Sequence, residues 1–177
     1  MELVADASSL INILASGRAR ELITLWGVVL VVTDMVDKEI KRNRPMIEEL
    51  YALGLARKEA LPPEANVLFV TAAADVDDGE ASAIALALFR GWPVATDDMR
   101  AQKIWLELMD SGAEPARNTC GLLQQIAEKL GETVLREVLL AIGSNARFDP
   151  PRAYAEWWAR VLLEEHDGSS RTARAPQ

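Results

Sequence analysis

The sequence is short of the side chains on which most enzyme chemistry runs. Among 177 residues there is one cysteine, Cys120, and one histidine, His166. A lone cysteine excludes an internal disulfide and a thiolate zinc site. A lone histidine beside the polar C-terminal residues argues against a Ser-His-Asp relay and against a multi-histidine metal centre. Aromatic residues make up 6% of the chain, and no aromatic-rich surface for stacking bases stands out. No apolar run approaches the ~20 residues needed to cross a bilayer, and Met1-Glu2-Leu3 lacks the basic start of a secretory signal. These absences make the reducing cytoplasm the expected location and leave no membrane partner.

Positive charge is also scarce. Lys and Arg number 19 against 27 Asp and Glu, a formal net charge of −8. Such a chain repels nucleic acid at long range. That expectation reverses locally only if carboxylates cluster around a cation. What the sequence has in plenty is apolar side chains, at 50%, enough for the core of one compact domain.

Short apolar runs alternate with segments of helical periodicity. Leu3-Val4-Ala5 reads as a buried strand ending at Asp6, with helical spacing through Leu10, Ile11, Ile13 and Leu14. Arg18 to Trp26 reads as a helix stopped by Gly27, and Val28 to Val32 as a strand covered on both faces. Thr33-Asp34 closes that strand and opens a helix carrying Val36, Glu39 and Ile40, which Pro45 interrupts before a further helix from Met46 to about Arg57. Pro62-Pro63 marks a loop, and Val67 to Val70 reads as a third strand. Asp75 to Gly79 is an acidic turn before a helix through Leu88; Val94-Ala95-Thr96 is a short strand delivering Asp97 and Asp98, and Arg100 to Met109 is helical. Beyond Cys120 the pattern is helical, over Leu122–Leu130, Thr133–Ile142 and Arg152–Glu165, and His166–Gln177 reads as a loose tail. Strands alternating with helices predict an α/β domain with a mostly parallel sheet.

A parallel sheet gathers the carboxyl ends of its strands on one edge, where ligand sites form. Asp6, Asp97 and Asp98 follow strands directly, and Glu39 and Glu80 sit on the adjoining helices. Each Asp at such a junction is also an ordinary helix cap, and Asp77 with Glu80 fits a capping box. Glu39 lies past the first turn of its helix and cannot cap it, and the pair Asp97-Asp98 exceeds what one cap requires. Carboxylates crowded together raise one another's pKa unless a cation intervenes. Hard oxygen donors without His or Cys suit Mg²⁺ or Mn²⁺ and phosphodiester chemistry.

Four segments carry a resemblance to the PIN domain, the nuclease fold of many prokaryotic toxin ribonucleases. They are Val4-Ala5-Asp6-Ala7-Ser8-Ser9, Val36-Asp37-Lys38-Glu39-Ile40, Asp78-Gly79-Glu80-Ala81 and Val94-Ala95-Thr96-Asp97-Asp98. The Asp-Gly-Glu-Ala start, the Asp-Asp pair and Thr119-Cys120-Gly121 resemble a branch related to the VapC toxins. The resemblance implies a three-layer PIN-like fold over residues 1–130, with a helical C-terminal extension at 131–165 packed on it and a tail at 166–177. It implies a catalytic set of Asp6, Glu39, Glu80 and Asp98, with Mg²⁺ or Mn²⁺ held by Asp6, Glu80 and Asp98. Asp97 shares that metal role, since which of the adjacent aspartates faces inward is left open. Ser8 and Thr96 orient the carboxylates, while Asp34, Asp37, Asp77 and Asp78 read as caps or solvated acids.

The implied activity is a metal-dependent endoribonuclease, the toxin of a toxin–antitoxin pair, with an RNA substrate, a small antitoxin partner and a homodimer. Lys41, Arg42, Arg44, Arg100 and Lys103 flank the acids and read either as a basic groove for the RNA backbone or as solvent-facing helix residues. Trp26, Trp92 and Trp105 read as core or interface residues, and Tyr154, Trp157 and Trp158 as packing on the last helix. The alternative is a PIN-like scaffold that binds RNA or protein without cleaving. A small-phosphoester hydrolase lacks support, because no Gly-rich phosphate loop or Asp-x-Asp nucleophile follows the first strand.

Overall fold

Val28 to Val32 offers no polar face to water, so as an extended segment it has to be covered on both sides. In the computed structural model, which describes residues 1–109 and 114–163, it supplies the central strand β2 (Val29–Thr33). β1 (Glu2–Ala5) pairs with it in parallel, with Leu3 opposite Leu30 and Val4 opposite Val31. β3 (Ala56–Glu59) lies in parallel on the other side of β2, and β4 (Val94–Ala95) on the other side of β1. The order is β3-β2-β1-β4. Arg117 prolongs the β4 edge through a parallel bridge to Ala95. All four strands run the same way, so the ends of β1, β2 and β4 that carry acids open on one edge.

Helices flank the sheet in a three-layer α/β arrangement. α1 (Ala7–Ala15) and α2 (Ala19–Trp26) follow β1, and α3 (Asp34–Glu39) follows β2. α6 (Asp78–Arg90) packs on β1 and β2, and its buried run of Ala81, Ala83, Ala85 and Ala87 lets the helix lie close to the sheet. α7 (Met99–Leu108) follows β4. α8 (Thr119–Leu130), α9 (Glu132–Asn145) and α10 (Arg152–Leu163) build a second apolar cluster with Leu22 of α2, including Leu123, Val138, Ile142 and Trp158. Trp26 joins both clusters, and its indole N–H donates to the Leu122 carbonyl at 2.8 Å. Trp105 is buried in the first cluster and Trp92 packs against it, as expected of core residues. No described helix is long and apolar enough to cross a membrane. His166 and the rest of 166–177 lie outside the described residues.

Two expectations fail, each for a physical reason. Val67 to Val70 is not a strand but part of α5 (Asn66–Ala72), which packs on α6. Across α5 and its flanks the inward residues are Ala65, Leu68, Phe69, Ala72, Ala73 and Val76, a helical stripe in which alanines do much of the packing. Four apolar residues in a row concealed that period. The helix expected to run to about Arg57 is α4 (Arg44–Ala52), which begins with Pro45 in its first turn and ends at a turn made by Gly54 at φ 68°. β3 then starts at once. Its sequence, Ala-Arg-Lys-Glu, is that of an edge strand whose charges discourage pairing with another chain, so it carries no apolar alternation to read.

The phase of α5 separates helix from strand by mutation. In a strand, residues 70 and 72 share a face; here Val70 is 67% exposed and Ala72 0%. Ala72→Asp should destabilise the protein by at least ~2 kcal/mol by burying an unpaired charge, while Val70→Asp should stay within ~0.5 kcal/mol. Urea unfolding of the two variants checks this, and equal effects would contradict the helix.

Candidate active site

The chain leaves β1 at Asp6 in extended conformation and turns directly into α1, so the Asp6 carboxylate lies beside the first-turn amides. Asp6 Oδ1 accepts the Ser9 N–H at 2.8 Å and caps the helix. The Ser8 hydroxyl bridges both carboxylate oxygens, at 2.9 and 2.8 Å. Asp98 repeats the arrangement after β4: its Oδ1 accepts the Arg100 and Ala101 amides at 2.7 and 2.9 Å and caps α7. The Thr96 hydroxyl accepts the Asp98 N–H at 3.2 Å. Capping therefore occupies Oδ1 in both aspartates, and among the described residues no donor reaches Asp98 Oδ2. At Asp98 the cap leaves Oδ2 open, while at Asp6 Oδ2 accepts the Ser8 hydroxyl.

Glu80 enters from the first turn of α6, whose cap is Asp77, with Glu80 N–H on Asp77 Oδ1 at 2.9 Å. Glu39 is the last residue of α3. These acids repel one another around a buried Asp6, with Glu80 and Asp98 half-buried and Glu39 exposed. Asp6 is 1% exposed, and burial pushes its pKa up to about 6, although the Thr96 hydroxyl, the Ser9 amide and the Ser8 hydroxyl pull the other way. Burial, then the charges of Asp77, Asp98 and Asp6, push Glu80 up to about 7. Glu39 is raised by burial and by Asp77, Asp6 and Asp78. Among the described residues no three acids form a ready-made metal cluster.

Two clefts meet this edge. A polar one of about 490 Å³ is lined by Asp75, Asp77, Glu80, Asp98 and Arg100. A larger one of about 680 Å³ has Glu39 on its wall, with Lys41 and Arg42 beside apolar Ile11, Ile40 and Met46. The cations divide by their partners. Arg44 is engaged by Asp37 at 3.1 Å and by Glu48, and Lys103 by Glu107 at 3.4 Å. Among the described residues Lys41, Arg42 and Arg100 have no ion-pair partner.

Asp97 is engaged by side chains and backbone of α1 and α8, and its charge also pushes the Asp6 pKa up. Its carboxylate accepts the Asn12 side-chain amide at 2.9 Å, the Thr119 N–H at 2.8 Å and the Thr119 hydroxyl. Its own N–H donates to the Ser8 hydroxyl at 3.2 Å. It ties α1, β4 and α8 together, while Asp98 opens on the cleft with Glu80. Sequence reasoning missed Asn12 and Thr119. A polar Asn12 within the otherwise apolar run 10–15 was the available signal.

Asp37 is neither a cap nor a solvated acid. It is buried and accepts from the Tyr51 hydroxyl at 2.7 Å, with Lys58 at 2.9 Å and Arg44 at 3.1 Å. Burial alone would raise its pKa, but Lys58, Tyr51 and Arg44 outweigh it and hold the carboxyl below its usual range. Cys120 is buried with its pKa pushed up to about 12, an inert thiol.

The family model DUF3368, described as a PIN domain, matches residues 2–108, more than half of the chain. The chain belongs to the PIN-domain family. No curated protein matches it, and no solved structure does. The matched span contains Asp6, Glu39, Glu80 and Asp98 and stops at the end of α7, so α8–α10 lie beyond it. PIN domains are generally nucleases, and this one has the nuclease-type fold.

The raised carboxyl pKa values of Asp6 and Glu80 predict that this PIN domain loses stability as pH rises. Folded Asp6 and Glu80 hold protons that the unfolded chain, titrating near 3.8 and 4.5, releases earlier. Their contribution is complete below pH ~4 and is lost as pH rises through about 6 and 7. The metal-free Tm should fall between pH 5 and pH 8. Asp6→Asn, which keeps the cap, should raise the metal-free Tm at pH 8 and not at pH 4, by an amount on the order of 2 kcal/mol in stability. Calorimetry at both pH values checks this; a wild-type Tm that rises with pH would contradict it.

Proposed function

We propose that this PIN domain is a Mg²⁺- or Mn²⁺-dependent endoribonuclease whose ion is held by Asp6, Glu80 and Asp98, with Glu39 completing the catalytic set. One observation carries the reading. Acids from the ends of β1, α3 and α6 are held at one edge where burial and mutual repulsion raise them, a conflict that a cation relieves. The donors are all hard oxygens, which fit Mg²⁺ or Mn²⁺ and not a zinc site built on His or Cys. Such an ion, when bound, activates water and neutralises charge developing on a phosphate.

The chain's own side chains supply the rest. Caps and the Ser8 and Thr96 hydroxyls hold the two aspartates in single orientations, so little reorganisation remains when charge develops. Lys41 and Arg42 in the larger cleft and Arg100 in the smaller one stand on either side of the acids, where a phosphate backbone crossing the edge meets cations. Ile11, Ile40 and Met46 give its nucleotides an apolar wall. The same proposal includes the toxin role, a small antitoxin, a homodimer and a cytoplasmic location. It places the nuclease in residues 1–130 and a helical extension in 131–165. The second reading, an RNA-binding scaffold without turnover, draws on the lack of a ready-made metal cluster among the described residues.

Cleavage of single-stranded RNA at neutral pH, with Mn²⁺ and with EDTA, decides between them. The expected result is cleavage with Mn²⁺, none in EDTA, and a loss of at least ~100-fold in Glu80→Gln, as for removal of a key electrostatic group. RNA binding with no turnover at any Mn²⁺ concentration would establish the scaffold; undiminished cleavage in EDTA would overturn the metal mechanism.

A further inference from the structure

Glu39 reaches the acidic edge by lying over the start of α6. A Cβ built on Gly79 would stand 2.2 Å from Glu39 Oε1 and 3.0 Å from its carboxyl carbon. Gly79 has no positive φ, and the position, in the first turn of a helix, is one that alanine adopts without strain. Backbone conformation therefore gives no reason for glycine here. The space its missing side chain leaves is taken by the Glu39 carboxylate.

The two helices are held in register around that contact. The Thr33 hydroxyl caps α3 by accepting the Val36 N–H at 3.2 Å and shares a hydrogen bond of 2.6 Å with the Ser82 hydroxyl. The Ser82 hydroxyl also lies 2.8 Å from the Gly79 carbonyl, to which it donates. Both hydroxyls are buried, so the end of β2 and the first turn of α6 cannot slide apart without stranding polar groups. On the far side of α3, Asp37 is clamped by Lys58, Arg44 and Tyr51. α3 is thus fixed from both sides, and the direction of the Glu39 side chain depends on what residue 79 leaves open.

We propose that Gly79 is a positioning residue of the metal site: its missing side chain is the seat that aims the Glu39 carboxylate at Asp6, so that its charge stands beside the ion. The inference rests on the metal-dependent reading above and adds a residue that would itself touch neither ion nor substrate. A methyl group at 79 has an inexpensive way out, because the atom it meets is the end of a flexible side chain. The protein should fold and Glu39 should swing away.

Isothermal titration of Mn²⁺ into wild type, Gly79→Ala, Glu39→Asp and the double variant tests it, alongside thermal melts. Gly79→Ala should keep or raise the metal-free Tm and weaken Mn²⁺ binding by roughly 10-fold, the scale found for groups that orient ligands. In the Glu39→Asp background the same change should cost less than about threefold, since the shorter side chain no longer extends over residue 79. Equal Mn²⁺ affinity in wild type and Gly79→Ala would overturn the proposal, as would an equal loss in both backgrounds. Wild type that binds no Mn²⁺ would instead remove the metal reading itself.

Discussion

Like charges gathered around one buried carboxylate are the constraint around which this structure is arranged. A parallel sheet sends β1, β2 and β4 toward one edge, and the residues there are acids. In water, acids spread across a surface cost little, but here Asp6 is buried and Glu39 and Glu80 face it and Asp77. The edge tolerates them in two ways: protons stay on longer than usual, and backbone amides and hydroxyls donate to them. A divalent cation is the third way, and the one that would turn a strained edge into a working site. The −8 net charge accordingly speaks less against nucleic acid than it first suggests. The nearby cations without ion-pair partners among the described residues, Lys41, Arg42 and Arg100, lie in the clefts beside the acids.

Capping and ligand roles looked like competing explanations of the same residues, but the capping seen at Asp6 and Asp98 does not exclude the proposed ligand role. Each aspartate spends Oδ1 on the first turn of a helix. The cap fixes the rotamer, which is what a ligand needs from its surroundings. Asp97, next in sequence to Asp98, has both oxygens taken by Asn12 and Thr119, and its charge still acts on Asp6. Through Thr119 the helices beyond the PIN match reach back to the strand that carries Asp98, so α8 is tied directly to the site it flanks.

The sequence made legible those features whose physics is local. Continuous apolar strands, an acid after each, and an alanine-rich helix opening at Asp77 all follow from neighbouring residues, and the parallel sheet follows from their alternation with helices. What failed depended on partners far along the chain. β3 is a strand because β2 has an open edge for it, although Ala-Arg-Lys-Glu has no strand character of its own. α5 is a helix because alanines pack on α6, and small alanines give little contrast to the helical period. Asp37 looked like a surface acid because Lys58 and Tyr51, its partners, are distant in sequence. The hydrogen bonds between Asp97 and Thr119 were likewise hidden, since one residue follows β4 and the other opens α8. The fit between Gly79 and Glu39 belongs to the same class, since nothing near residue 79 announces a carboxylate above it.

The central claim is that the acidic edge is a cation site, and its position can be observed directly. Crystals soaked in Mn²⁺ and measured for anomalous scattering should show a peak bounded by Asp6, Glu80 and Asp98. A peak elsewhere on the protein, or none at saturating Mn²⁺, would contradict the account.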